Sequence, residues 1–152
     1  MGVHFDVELD FGPVEQILED RGLNPMGLVQ RYIDSEVIRY CDPKVPFRTG
    51  MLKDSALIST VIGSGMVVYA TPYARYMFMG EVMGPNIPIR DSGTGAITGW
   101  RSPPGKPKYL TGRQINYNGA PERGAHWVER MAAEHLDDIV RGAAILAGGT
   151  AG

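Results

Sequence analysis

Residues 45–70 read VPFRTGMLKDSALISTVIGSGMVVYA and carry the most informative local patterns of the chain. The stretch opens with a proline-restricted turn that leads to Gly50, a residue that reaches positive φ at no steric cost. Its second half is rich in β-branched and apolar residues on both sides of the glycine-rich link 63–65. Because such a link between two such runs is typical of a hairpin, the sequence predicts strands over 56–62 and 66–70.

Apolar residues recur at helical spacing in four other segments, residues 14–22, 24–41, 72–79 and 123–147. Glycine or proline bounds these segments, as expected where helices start or stop. Residues 3–11 differ, because apolar and polar residues alternate strictly there, which predicts a half-buried strand. A chain of 152 residues is the size of one domain, so we expect a single domain over 1–152 with a flexible tail at 148–152.

Residues 80–124 stand apart in composition. They contain nine of the 20 glycines and six of the 11 prolines, and their six basic and three acidic residues give the segment a charge of +3. The rest of the chain carries −5, so the formal net charge of −2 conceals two regions of opposite sign. We expect an inserted extended arm in which 82–89 pairs with 109–117, and in which 84–108 is mobile in the free monomer.

Composition excludes several classes of protein. The single cysteine, Cys41, leaves no intramolecular disulfide and no zinc cluster of cysteines. No apolar run approaches 18 residues, so neither a membrane span nor a membrane partner is predicted, and the first residues lack the features of a signal peptide. A nearly neutral charge also argues against a dedicated nucleic-acid binder. We therefore expect a soluble protein that is synthesised in the cytoplasm.

No catalytic constellation is visible in the sequence. Residues 99–107 approach a phosphate-binding loop, but five residues instead of four separate the glycines, and Pro107 stands where magnesium binding needs a hydroxyl. His126 and His135 are nine residues apart on one predicted helix, which is too far for joint metal ligation. The sequence therefore predicts a protein that is not an enzyme and that has no catalytic, cofactor-binding or metal site.

Several features admit both a structural and an interface interpretation. Arg48 can grip a partner's carboxylate or satisfy backbone carbonyls at its own loop-to-helix junction, where Thr49 or Ser55 can cap the following turn. The methionine-rich stretch 77–83 can pack in a core or form an adaptable contact surface. Tyrosine side chains suit a subunit interface as well as the rim of a core. Three such residues are Tyr69, Tyr73 and Tyr76.

The order of the motifs carries a resemblance to a known family. The pattern Pro-x-Arg-Thr-Gly-x-Leu-x-x-Ser over 46–55 is followed by the predicted hairpin and by Tyr-x-x-x-Tyr-Ala-x-Tyr-x-x-x-Gly over 69–80. The segments 110–117 and 124–131 complete the set. This arrangement resembles the tail-completion, or head–tail joining, proteins of long-tailed bacteriophages, and the minor capsid proteins of phages and prophages of Gram-positive hosts.

The resemblance implies an α+β fold, with two or three helices packed on a small antiparallel sheet and a long Gly/Pro-rich extended arm. It also implies a structural virion protein of the phage neck, at the head–tail interface. Such proteins form rings, of six copies more readily than twelve, between head-completion or stopper proteins and tail-terminator and tail-tube proteins, and double-stranded DNA passes through. The alternatives are a tail terminator, a capsid-associated minor protein or a small nucleotide-dependent assembly factor.

A set of residues is expected to form the subunit and partner interfaces, on the resemblance together with the chemistry of the side chains. The set is Arg48, Thr49, Gly50, Leu52, Ser55, Tyr69, Tyr73, Tyr76, Met79, Arg101, Lys106 and Lys108.

Overall fold

The computed structural model describes residues 14–149, which form five helices and four short strands in a small α+β fold, as predicted. The strand predicted over 3–11 lies outside the described residues, as do the last three residues of the predicted tail. The helices are α1 (Val14–Asp20), α2 (Leu28–Cys41), α3 (Met51–Ser59), α4 (Ala74–Met79) and α5 (Trp127–Leu146). The strands are β1 (Glu81–Gly84), β2 (Ile87–Arg90), β3 (Ile97–Arg101) and β4 (Tyr109–Gln114).

Helices α2 and α5 pack against each other and form the centre of the molecule. They run in opposite directions, since Tyr40 near the end of α2 stacks on His135 with ring centroids 4.2 Å apart, whereas Arg21, which precedes α2, bonds the carbonyl of Ala147 after α5. Helix α2 starts at Leu28, later than the predicted start at Asn24-Pro25, and α5 starts at Trp127 instead of residue 123. The buried core comprises Cys41, Val45, Leu52, Ala74, Trp127, Met131 and Ile139.

The hairpin predicted over 56–70 is wrong. Residues 51–59 form helix α3, and 66–70 form no strand. The spacing of the buried residues explains why a helix forms here, since Leu52, Ser55 and Ala56 are buried at spacings of three and four residues. Gly50 starts the helix at φ +87°, as its predicted freedom allows, and no side chain caps it, so neither Thr49 nor Ser55 has the predicted capping role. The Ser55 hydroxyl instead donates to the Leu52 carbonyl, at 2.6 Å.

A buried carboxylate shapes the loop that follows α3. Asp34 on α2 accepts hydrogen bonds from the backbone amides of Gly63 and Gly65, at 2.7 and 3.1 Å, and from the Gln30 side chain at 2.7 Å. Both glycines adopt positive φ, and the Asp34 side chain lies between the loop and α2. The chain therefore turns around an acceptor on another element rather than through the pairing of two strands.

The 80–124 segment forms two separate two-stranded antiparallel sheets. Strand β1 pairs with β4, which is the pairing predicted for the first part of 82–89. Strand β2 pairs instead with β3, a strand that the sequence patterns did not indicate. The turn between β2 and β3 is closed by Asp91, whose carboxylate accepts hydrogen bonds from the backbone amides of Gly93 and Thr94 and thereby lowers its own pKa.

We expect the β2–β3 hairpin to exchange its amide protons rapidly in the free monomer. Its residues are mostly exposed, and an isolated two-stranded hairpin is only marginally stable in water. In hydrogen–deuterium exchange followed by mass spectrometry, peptides within 87–101 should reach full deuteration much earlier than peptides from α2 and α5. Equal protection of the hairpin and α5 in the monomer would contradict the mobility predicted for 84–108.

Two arginines fasten the start of α5 to the loop after α2. Arg123 donates to the carbonyls of Asp42 and Val45, and Arg130 donates to the carbonyl of Lys44 as well as to carbonyls just before α5. These bonds hold the two loops together beside the core. Arg123 therefore satisfies backbone carbonyls at a loop-to-helix junction, which is the structural role that the sequence allowed for Arg48.

Lys44 is the buried charge at this junction. Its ammonium group lies 2.7 Å from a carboxylate oxygen of Glu134, and only 3% of its side chain is exposed. The hydrogen bond from Lys44 holds the pKa of Glu134 below its ordinary value.

Candidate functional site

A groove of about 720 Å³ lies where α4, β1, the β2–β3 hairpin and the flanks of β4 meet. Gly80 ends α4 at φ +81° and directs the chain into β1, and its carbonyl accepts a hydrogen bond from Ile115, just past β4, at 3.0 Å. The Tyr117 hydroxyl donates to the Met77 carbonyl and closes the same corner. The lining residues are Arg48, Pro72, Tyr73, Arg75, Tyr76, Met77, Val82, Met83, Asn86, Trp100, Ser102, Lys108 and Ile115.

The groove is lined by cations and by no carboxylate. Lys108 donates to the Pro85 carbonyl, the Asn86 side chain and the Ser102 hydroxyl. These bonds connect the chain on either side of the hairpin and hold the ammonium group at the groove. Arg48 and Arg75 are exposed and form no side-chain hydrogen bond with any residue from 14 to 149. The groove therefore attracts anionic groups and offers two guanidinium forks to bind them.

Aromatic and aliphatic side chains supply the rest of the groove surface. Tyr73 and Tyr76 lie with ring centroids 6.3 Å apart, and burial raises the pKa of Tyr76, so its hydroxyl stays neutral at physiological pH. Trp100 projects from the hairpin with 57% of its surface exposed. A ligand that combines apolar and anionic groups fits this lining best.

An aromatic cluster packs beside α4. The Trp127 indole packs edge-on against Tyr69 and Phe78, with centroid distances of 5.3 and 4.9 Å. Burial raises the pKa of the neighbouring Cys41 thiol to about 11 and also raises that of Tyr69. Both groups are therefore neutral near pH 7, and they contribute packing rather than chemistry.

The predicted interface residues fall into separate places. Arg48, Tyr73, Tyr76 and Lys108 meet in the groove. Tyr69 and Met79 line a shallow depression of about 510 Å³ on the other side of α4, beside Trp127. Gly50, Leu52 and Ser55 are buried beneath the surface, and Thr49, Arg101 and Lys106 are exposed outside both lining sets.

Sequence reasoning missed Arg75 and Trp100 as groove residues. Arg75 stands within the tyrosine motif, but its direction depends on how α4 packs. In the sequence, Trp100 stands out only as part of the segment that approaches a phosphate-binding loop. That segment lies between β3 and β4 and leads into no helix, so the helix N-terminus that binds phosphate in such loops is missing at this place.

A second surface of interest is the outer face of α3. Leu57 and Ile58 are 64% and 84% exposed, and Met51 and Val61 are each 62% exposed. At 100° per residue, Met51 and Ile58 project within about 20° of each other and Leu57 about 100° from Ile58, so the three side chains occupy an arc of about 120°, and Val61 follows just past the end of the helix. An exposed apolar face of this kind is typical of a contact surface.

Residues 14–149 contain neither of two other kinds of site. No group of three or more histidine, cysteine, aspartate or glutamate side chains is placed to hold a metal ion. None of the helices in this part of the chain is long and apolar enough to span a bilayer.

Comparison with known proteins returns no relative. No protein-family model matches the chain, and no curated protein or solved structure shows significant similarity to it. Function is therefore inferred from the sequence motifs and from the two surfaces described above.

Proposed function

We propose that this protein is a structural component of a phage virion, a ring-forming tail-completion protein that joins the head-completion proteins to the tail. The observation that carries the proposal is the apolar outer face of α3. Burying exposed apolar surface between subunits is favourable by roughly 25 cal/mol per Å², and Ile58 leaves 84% of its surface exposed in the single chain. The order of the motifs, which resembles that family, supports the same function.

Two unlike contact surfaces on one chain suit a ring. The groove and the α3 face differ in chemistry, so each can contact a different part of a neighbouring subunit, and heterologous contacts of this kind close into a ring when the rotation between subunits allows it. We favour six copies, with twelve as the alternative. The charge pattern also fits, since a segment of +3 on a body of −5 can attract the neighbouring subunit.

The proposed ring lets double-stranded DNA pass and contacts a stopper on one side and the tail terminator or tail tube on the other. A nearly neutral, slightly acidic chain suits a conduit, because a strongly basic lumen would hold the phosphate backbone. The protein carries no catalytic role in this proposal. It is made in the host cytoplasm and becomes part of the virion.

Mass measurement and electron microscopy test the proposal. Native mass spectrometry of the purified protein, alone or with its neck partners, should give a ring of six times the 16.6 kDa chain, and averaged particles should show it between head and tail. Density at the end of the tail tube or on the capsid would indicate a tail terminator or a minor capsid protein instead. A chain that stays monomeric and is absent from virions would contradict the proposal.

Replacement of Arg48 by alanine should weaken assembly at least tenfold and leave the monomer folded. The side chain is exposed and bonds no described residue, so its loss costs the fold little, whereas a hydrogen bond to a charged partner group contributes about 1.5–3 kcal/mol. Analytical size-exclusion chromatography over a concentration series measures the shift. Arg141→Ala, which removes an exposed arginine of α5, is the matched control, and equal assembly by both variants would refute the role of Arg48.

A further inference from the structure

We propose that the groove receives residues 3–11 of a neighbouring copy, which lie across it as an extended strand. The inference rests on the proposed ring and names the contact that would join its subunits. It assigns the groove a ligand of defined chemistry, an extended peptide with one apolar and one acidic side.

The sequence of the segment matches both parts of the groove surface. In an extended chain, alternate side chains point to opposite sides. Residues 3–11 therefore present apolar side chains to one side and mainly acidic ones to the other. The apolar positions are Val3, Phe5, Val7, Leu9 and Phe11, and the polar positions are His4, Asp6, Glu8 and Asp10.

The charges of segment and groove are complementary. Asp6, Glu8 and Asp10 carry three negative charges, and Arg48, Arg75 and Lys108 carry three positive charges with no carboxylate among the lining residues. Arg48 and Arg75 have no hydrogen-bond partner between residues 14 and 149, so both are available for bidentate bonds to carboxylates.

Backbone pairing is also available at the groove. Strands β1 and β3 both contribute lining residues, and within residues 14–149 each pairs with only one other strand. Side chains of Thr111 and Asn86 already donate to the Val82 and Met83 carbonyls of β1, so β3 offers the freer edge. An extended peptide can add to such an edge by main-chain hydrogen bonds, while the pockets beside the edge select its side chains. Tyr73, Tyr76 and Trp100 provide the apolar surface for the five apolar positions of the segment.

The chain path favours a neighbour over the same copy. Arg21, after α1, is tied to Ala147 at one end of the α2–α5 pair. The groove lies past the other end, beyond Cys41, and α2 alone separates the two ends by about 20 Å. Helix α1 covers about 10 Å, and the two residues that connect Phe11 to Val14 span about 10 Å when fully extended, so Phe11 reaches the groove of its own copy only if both run straight toward it.

A peptide titration tests the groove as the acceptor. The acceptor is the full-length chain with Asp6, Glu8 and Asp10 changed to lysine, so that its own segment does not compete. A synthetic peptide of residues 1–13 is added, and tryptophan fluorescence is recorded. Trp100 faces the groove and Trp127 is fully buried, so a change of emission reports on the groove.

We expect saturable binding that weakens at least tenfold in two matched controls. One control changes Arg48 and Arg75 of the acceptor to alanine, and the other changes the three acidic residues of the peptide to their amides. The second control leaves the protein untouched, so it remains decisive if the arginine variant folds poorly. Binding that is absent, or that neither control weakens, would overturn the proposal.

Mixing two assembly-defective full-length variants tests whether the contact joins copies. One variant has the lysine-substituted segment and an intact groove, and the other has an intact segment and a groove in which Arg48 and Arg75 are changed to alanine, so that the lysine segment has no acidic groove to bind. Each alone should be monomeric, and the mixture should form one junction, seen as a heterodimer by native mass spectrometry. Saturable peptide binding without heterodimers would show that the segment occupies its own groove and would overturn the neighbour assignment.

The failure of this inference is distinguishable from failure of the proposed function. Normal rings from the lysine-substituted chain would overturn the segment contact and leave the neck ring intact. A wild-type chain that forms rings in solution but is absent from virions would contradict the neck function and leave the segment contact supported.

Discussion

Replacing Trp127 with alanine should lower the free energy of unfolding by about 3–5 kcal/mol, the range found when a large buried aromatic side chain is truncated. Trp127 is 2% exposed and packs edge-on against Tyr69 and Phe78. Its removal leaves a cavity between the first turn of α5 and α4, which also carries Tyr73 and Tyr76 into the groove. We therefore expect loss of both stability and assembly.

Urea denaturation followed by circular dichroism measures the effect. Trp127→Phe keeps most of the ring contacts and should cost about 1–2 kcal/mol, and Val128→Ala, a change at a partly exposed neighbour, should stay within about 0.5 kcal/mol. Reactivity of Cys41 toward a disulfide reagent gives a second reading. The thiol is fully buried with its pKa raised to about 11, so it should react slowly in the wild type and quickly in Trp127→Ala. Wild-type stability in Trp127→Ala would refute the central role of this indole.

Replacing Asp34 with alanine should lower the free energy of unfolding by about 3 kcal/mol, because it removes a charged acceptor and leaves backbone donors of Gly63 and Gly65 without a partner. Asp34 is 2% exposed and Gly63 is buried, so water reaches the orphaned Gly63 amide poorly, whereas Gly65 is exposed. The loop that it holds lies directly after α3. We therefore expect the apolar face of α3 to lose its fixed orientation as well.

Asp34→Asn is the matched variant, since it keeps the shape and one acceptor oxygen and should lose about half as much stability. Hydrogen exchange of the Gly63 and Gly65 amides, read by NMR, reports on the local effect. Protection of these two amides should fall in Asp34→Ala more than protection within α5. Unchanged exchange at both glycines would show that the carboxylate does not hold the loop.

Several helices were predictable because their signals are local. The short helix before Gly80 and the long helix that ends before Gly148 follow from apolar residues at helical spacing and from glycines that stop them. Gly50 was singled out for positive φ, and the structure confirms it at +87°. These features depend on residues within one or two turns of each other, so a linear sequence contains the necessary information.

The predicted hairpin over 56–70 is wrong because the β-branched residues of this stretch favour a strand locally, whereas the helical spacing of the side chains that reach the core favours a helix. Ile58 and Val61 raise the strand propensity of the stretch, yet both are exposed and contribute no sheet packing. The weaker helical signal of Leu52, Ser55 and Ala56 prevailed because those side chains reach the core. Asp34 then bonds the loop from 29 residues away, a partner that no local pattern reveals.

The candidate site, like the fold, was predictable only in part from the sequence. Sequence motifs named Arg48, Tyr73, Tyr76 and Lys108, and the structure brings these four into one groove. The motifs did not distinguish Arg48, which stays exposed, from Arg123, which binds the carbonyls of Asp42 and Val45. Charge and residue type are readable from the sequence, but the partner of each charge depends on which loops meet.

By itself, the sequence determined the helical periods, the glycine stops, the concentration of glycine and proline in the basic segment 80–124, and the alternation of residues 3–11, since each is a short-range pattern. Only the tertiary structure decided that α3 replaces the hairpin, that β2 pairs with β3, and that three cations border one groove. The physical reason is that these outcomes arise from burial and hydrogen bonds between residues far apart in the chain, and such contacts override local propensity.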